Sequence, residues 1–140
     1  MTTLRQEIQI DAHPDGVWDA VRDFDAVHTR LACGFVTDAL VEDRAGTRAR
    51  TLTFFNGMVA TELLAGIDDE HRRLAYAITE GQSEHYAASV QVFGDGHGRS
   101  RMVWTIDVLP DALAPYVSDM QAKGAAAVKE TLESPVGVGG

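Results

Sequence analysis

A single cysteine, Cys33, is present, so no internal disulfide can form and the paired-thiol spacing of a zinc or redox site is missing. Burial as a small hydrophobe is the role expected of it. No apolar run reaches the length that spans a bilayer, so membrane insertion is not expected. The opening segment, MTTLRQEIQI, alternates polar with apolar residues and lacks the basic-then-apolar layout of a secretion signal, which makes a cytoplasmic location the expectation. Basic residues are scarce. Twelve Lys and Arg stand against 21 Asp and Glu, a net charge of −9 that repels phosphate backbones and argues against nucleic acid as a partner. Catalytic signatures are missing as well: there is no HExxH, nucleophile elbow, phosphate loop, or His and carboxylate set at metal spacing. No catalytic residue, metal or cofactor is therefore assigned.

What is present is an ordinary globular composition, 45% hydrophobic and 24% charged, in 140 residues, a length that suits one domain with one core. Leu4, Ile8 and Ile10 alternate with Arg5, Glu7 and Gln9, which predicts a strand with one apolar face. In HPDGVWDAVRDF the apolar residues Val17, Trp18, Val21 and Phe24 fall at helical spacing, and Pro14 suits a first helical position. A second short helix, capped by Asp25 and ended by Gly34, is expected to follow. From Phe35 to Leu109 turn residues cut the chain into six strand-like runs with connections short enough for hairpins, so the sheet should be antiparallel. Beyond Pro110 a stripe through Leu113, Val117, Met120, Gly124 and Leu132 predicts a long helix from Ala112 or Ala114 to Glu133. Residues 134–140, SPVGVGG, have no periodicity and are expected to be a flexible tail.

This order of elements resembles the START-like superfamily, also called the SRPBCC, polyketide cyclase and lipid-transport, or birch-pollen-allergen type. The likeness is carried by PDGVWDAVRDF, the Asn-Gly turn followed by TELL, IDDEHRRLAY, HYAAS, and WTIDVLPDALAP running into a helix that ends KETLE. It implies an α+β helix-grip domain over residues 1–133: two short helices after the first strand, and a curved seven-stranded antiparallel sheet around the C-terminal helix. It also implies a cavity between sheet and helix. The small residues Gly124, Ala125, Ala126 and Ala127 fit that picture by leaving room, whereas the plainer reading has aromatic residues of the sheet filling the gap.

Alternation places Met102, Trp104, Tyr86 and Tyr76 on inward faces. The strand around Glu62 resists the same treatment, because Met58, Ala60, Glu62 and Leu64 are about as apolar a set as Val59, Thr61, Leu63 and Ala65. Pattern leaves Glu62 open between solvent, a structural pairing with Arg48 or Arg50, and the interior. The resemblance leans inward: a similar TE-x-L segment in the plant abscisic-acid receptor branch turns its glutamate to the ligand, and that branch's strand tyrosine matches Tyr86. Glu62, Tyr86, Trp104, Met102 and Tyr76 are accordingly the expected ligand-binding residues. The function expected is binding or carriage of a small, mostly apolar molecule by a monomer or homodimer. The alternative is an enzyme like the polyketide aromatase/cyclases, with Glu62 as general base.

Overall fold

The computed structural model describes residues 1–134; the expected tail beyond Ser134 lies outside the described residues. Strand β1 (Thr2–Ile10) leads into helix α1 (Pro14–Arg22), and six strands follow: β2 (Val36–Arg44), β3 (Thr47–Phe54), β4 (Val59–Asp68), β5 (Arg73–Ala77), β6 (His85–Gly94) and β7 (Ser100–Leu109). Helix α2 (Ala114–Glu133) is the last element of the described residues. All neighbouring strands run antiparallel, in one seven-stranded sheet of order β1-β7-β6-β5-β4-β3-β2. Every neighbouring pair except β1 and β7 is joined by a short connection. The sheet holds α2 against its apolar face, so the helix-grip architecture expected from the sequence is the one observed.

The local chemistry explains the boundaries. His13 caps α1 by accepting the Asp15 amide at Nδ1 (3.2 Å), and Pro14 supplies a preset φ at the start. Between β3 and β4 the Asn56-Gly57 turn needs a positive φ, and Gly57 provides it at 85°. Asn56 Oδ1 accepts the Met58 amide and fixes the turn.

Two expectations are corrected. The second short helix is a 3₁₀ turn (Phe24–Ala26) followed by a π turn (Val27–Leu31), and Asp25 does not cap it. Its carboxylate is drawn instead to Arg48 on β3, a charged partner that outcompetes a backbone amide. Cys33 is exposed rather than buried, because the residue follows the π turn where the backbone leaves the core and donates its amide to Thr131 Oγ1.

Helix α1 and the π turn cover one end of the sheet, together with the second half of α2. Ile8, Ile10, Val17, Trp18, Leu74, Val92 and Met102 form the continuous core there. At the other end the 3₁₀ turn Asp111–Leu113 and the first half of α2 face the sheet.

Candidate functional site

That uncovered end encloses a cavity of about 890 Å³. Its walls come from the inner faces of β3 to β7, the 3₁₀ turn before α2 and the opening turns of α2, with Phe54, Ile106, Val108, Leu113, Val117 and Met120 among the apolar contributors. The mouth is spanned by Tyr116, whose hydroxyl donates to Met58 Sδ at 2.9 Å, and by the β5–β6 connection at residues 80–83. A space of this size suits a drug-sized molecule.

One ion pair sits at the inner boundary. Arg50 and Glu62 are directly opposite on β3 and β4, and both side chains turn inward. They are 5% and 6% exposed. Arg50 reaches a single carboxylate oxygen, Glu62 Oε1, with Nε at 2.9 Å and Nη2 at 2.8 Å. Its remaining nitrogen, Nη1, donates to the Phe24 carbonyl at 3.1 Å. The guanidinium also lies 4.1 Å from the Phe24 ring centre and 5.6 Å from that of Tyr76. A buried charge needs such compensation, and each of the three guanidinium nitrogens of Arg50 has an oxygen within 3.1 Å. Glu62 does not: Oε2 makes no hydrogen bond among the described residues, and the side chain borders the cavity.

Around the carboxylate stand two phenols and an indole. Trp104 Nε1 donates to the Tyr76 hydroxyl at 3.0 Å. Burial pushes the pKa of Tyr76 well above its ordinary value, and the charge of Glu62 adds to the effect. The same two causes, in the same order, raise that of Tyr86. Both hydroxyls therefore stay protonated and serve as hydrogen-bonding groups rather than bases. Gln121, 2% exposed, donates Nε2 to the Trp104 carbonyl at 3.0 Å and lies on the cavity wall, tying α2 to β7.

The structure thus brings four of the five expected residues, Glu62, Tyr76, Tyr86 and Trp104, to one cavity. Met102 is set apart: it borders a separate inner void of about 70 Å³ at the filled end. The small stretch of α2 does not make the large cavity either. A Cβ on Gly124 would stand 3.0 Å from Phe35 Cε2 and from two atoms of the Trp104 indole, so aromatic rings occupy the room that the small residues leave, and Ala126 is exposed. Glu62 both faces inward and pairs with Arg50, joining two readings that the sequence held apart. Arg50 as a buried partner, Gln121, and the mouth residues Met58 and Tyr116 were not singled out as site residues. A signal for Arg50 existed, since it alternates in register with Leu52 and Phe54 and so occupies the apolar face of β3. No cluster of His, Cys, Asp and Glu suited to a metal occurs among the described residues. No helix there is long and apolar enough to cross a membrane.

The profile of a family described as polyketide cyclase/dehydrase and lipid transport matches residues 1–133. No curated protein matches the sequence. Among solved structures, the chain is similar to protein XoxI from Bacillus cereus at 19% identity and a TM-score of 0.80, covering 94% of this chain and 96% of that one. It is similar to the ZhuI aromatase/cyclase from Streptomyces sp. R1128 at 18% identity and a TM-score of 0.77, over 96% and 95% of the two chains. A norcoclaurine synthase point mutant from Thalictrum flavum superposes with a TM-score of 0.66 at 18% identity, over 94% and 93%. Likeness at this level of identity establishes the shared fold.

Proposed function

The chain belongs to the polyketide cyclase/dehydrase and lipid transport family, and from that premise we propose that it binds or carries a small, mostly apolar molecule in the cavity between the sheet and the first half of α2. One observation carries the reading. The cavity of about 890 Å³ has mainly apolar walls and a few convergent polar groups, Glu62 and Tyr86 foremost, which is the layout of a pocket that takes up an apolar body and orients it by one polar end. Tyr76 and Trp104 hold each other and present a fixed wall.

Uptake of the neutral dye Nile red, followed by its fluorescence, tests the reading. Val117→Trp places an indole inside the cavity and should abolish uptake without unfolding the protein. Full uptake by that variant would overturn the proposal. Native mass spectrometry of protein from its own host would give the mass of any retained molecule.

A second reading, a cyclase-like enzyme with Glu62 as base, draws support from the uncommitted Oε2 beside the cavity. The tyrosine hydroxyls would then steady an enolate. Against it stands the engagement of Oε1 by Arg50 and the lack of a second acid or base among the cavity-lining residues that are buried.

A further inference from the structure

The charges around the cavity are distributed unequally, and that inequality bears on what can enter. Among the described residues that line it there is no lysine, arginine or histidine. Its charged lining residues are Glu62 and Glu80. Glu80 lies at the mouth, its side chain 68% exposed, and pairs with Arg44 at 2.9 Å. Arg50 is the cation nearest the interior, yet it is not a lining residue, and its nitrogens are divided between Glu62 Oε1 and the Phe24 carbonyl. Its guanidinium lies close to the Phe24 and Tyr76 rings.

An anionic head group inside would therefore meet the free oxygen of a carboxylate and find no cation to replace its water. A cationic head would be attracted to Glu62 and repelled by Arg50, which is bonded to that same carboxylate, so most of the attraction is cancelled. A neutral hydroxyl has neither difficulty. It can donate to Glu62 Oε2, a charge-assisted bond, and accept from Tyr86, whose phenol stays protonated.

Building on the proposed binding function, we infer that this cavity selects ligands by charge: it takes neutral, hydroxyl-bearing apolar molecules and rejects carboxylates of the same shape, with Glu62 as the specificity-determining residue. A free fatty acid or another anionic acyl compound is thus a poor occupant, whereas an alcohol or phenol of equal size is a good one.

The test is competition against Nile red at neutral pH by three probes of one shape: 2-naphthol, 2-naphthoate and 2-methylnaphthalene. Naphthol is expected to bind at least tenfold more tightly than naphthoate, after correction for the water–octanol distribution of each probe. Glu62→Gln keeps an amide oxygen for Arg50 but removes the charge and turns the second acceptor into a donor. It should reduce the naphthol-to-naphthoate ratio by about tenfold, the loss of one charge-assisted bond. Equal or tighter binding of naphthoate by the unaltered protein overturns the inference, as does a ratio that Glu62→Gln leaves unchanged. The corrected ratio in the unaltered protein decides the matter if the glutamine variant does not fold. Displacement by methylnaphthalene without discrimination between the other two probes would sink the charge rule and leave the binding function standing. Failure of Nile red to bind at all would overturn both.

Discussion

The two ends of the sheet's inner face share one strand set and one alternation, yet one end is solid and the other hollow. At the filled end α1, the π turn and the second half of α2 lie over Leu74, Val92 and Met102, beside a void of about 70 Å³. At the open end the same strands continue as Tyr76, Tyr86, Ile106 and Val108 beneath the first half of α2, around some 890 Å³. The strands are apolar at both ends, so the sheet does not create the difference. The placement of the short elements does: they follow β1 and leave the far end of the sheet uncovered. The Arg50–Glu62 pair lies where the two regimes meet, with Glu62 bordering both the void and the large cavity.

That boundary is where the largest mutational effect is expected. Arg50→Met leaves Glu62 buried without its partner and should destabilise the protein by about 3–5 kcal/mol in urea denaturation, while the double variant Arg50→Met/Glu62→Leu should recover most of the loss. If the single variant were nearly as stable as the parent, the pair would not divide the interior as described. Next comes the filled end. Leu74→Ala should cost about 2–5 kcal/mol, because a close-packed surround cannot collapse fully into the space. Gly124→Ala sets two opposed terms against each other. Helix propensity gains up to about 1 kcal/mol. Contact with Trp104 and Phe35 at 3.0 Å loses about 1–3 kcal/mol, so a net loss of up to about 2 kcal/mol is expected. A stabilised variant would show that the rings yield and that the hollow reaches further along α2.

The smallest effect concerns the bracing of the filled end. The turn after β4 is joined to α1 by Asp69, whose Oδ1 accepts from Arg22 Nε at 2.8 Å and from Trp18 Nε1 at 2.9 Å. The bond from Arg22, then that from Trp18, holds the Asp69 carboxyl below the ordinary carboxylate pKa. A lowered folded-state pKa means that the contribution is present above the unfolded value and lost as pH falls through the folded one. Asp69→Asn should therefore flatten the acid limb of the stability profile, below the ordinary carboxylate pKa, and leave the slope near neutrality unchanged. An unaltered acid limb would show that the contact contributes nothing measurable.

The strands were legible in the sequence because Gly, Asn and Asp punctuate them and because alternation survives wherever one face is buried. Glu62 was not, since β4 is about equally apolar on both sides and period-2 reasoning has nothing to grip. Its orientation is decided by a long-range fact, the arginine opposite on β3. The 3₁₀ and π turns were read as one helix for a related reason: Val27 and Leu31 keep helical spacing, but Asp25 answers to Arg48, twenty-three residues away. The cavity is implied by the family resemblance, and the small residues of α2 only fit that picture; in the structure Gly124 makes room for Trp104 and Phe35 instead.

The pairing of β1 with β7 has a consequence for the order of assembly. Thr2 lies opposite Val108, while β2 to β7 each pair with a neighbour in sequence. On a ribosome the first strand emerges long before its partner exists, and closing so long a loop is entropically expensive. The β2 to β7 meander can fold by successive hairpins in the meantime. The apolar face of β1, Leu4, Ile8 and Ile10, must stay unpaired until Ser100–Leu109 has been synthesised, which makes docking of the first strand a late event during synthesis.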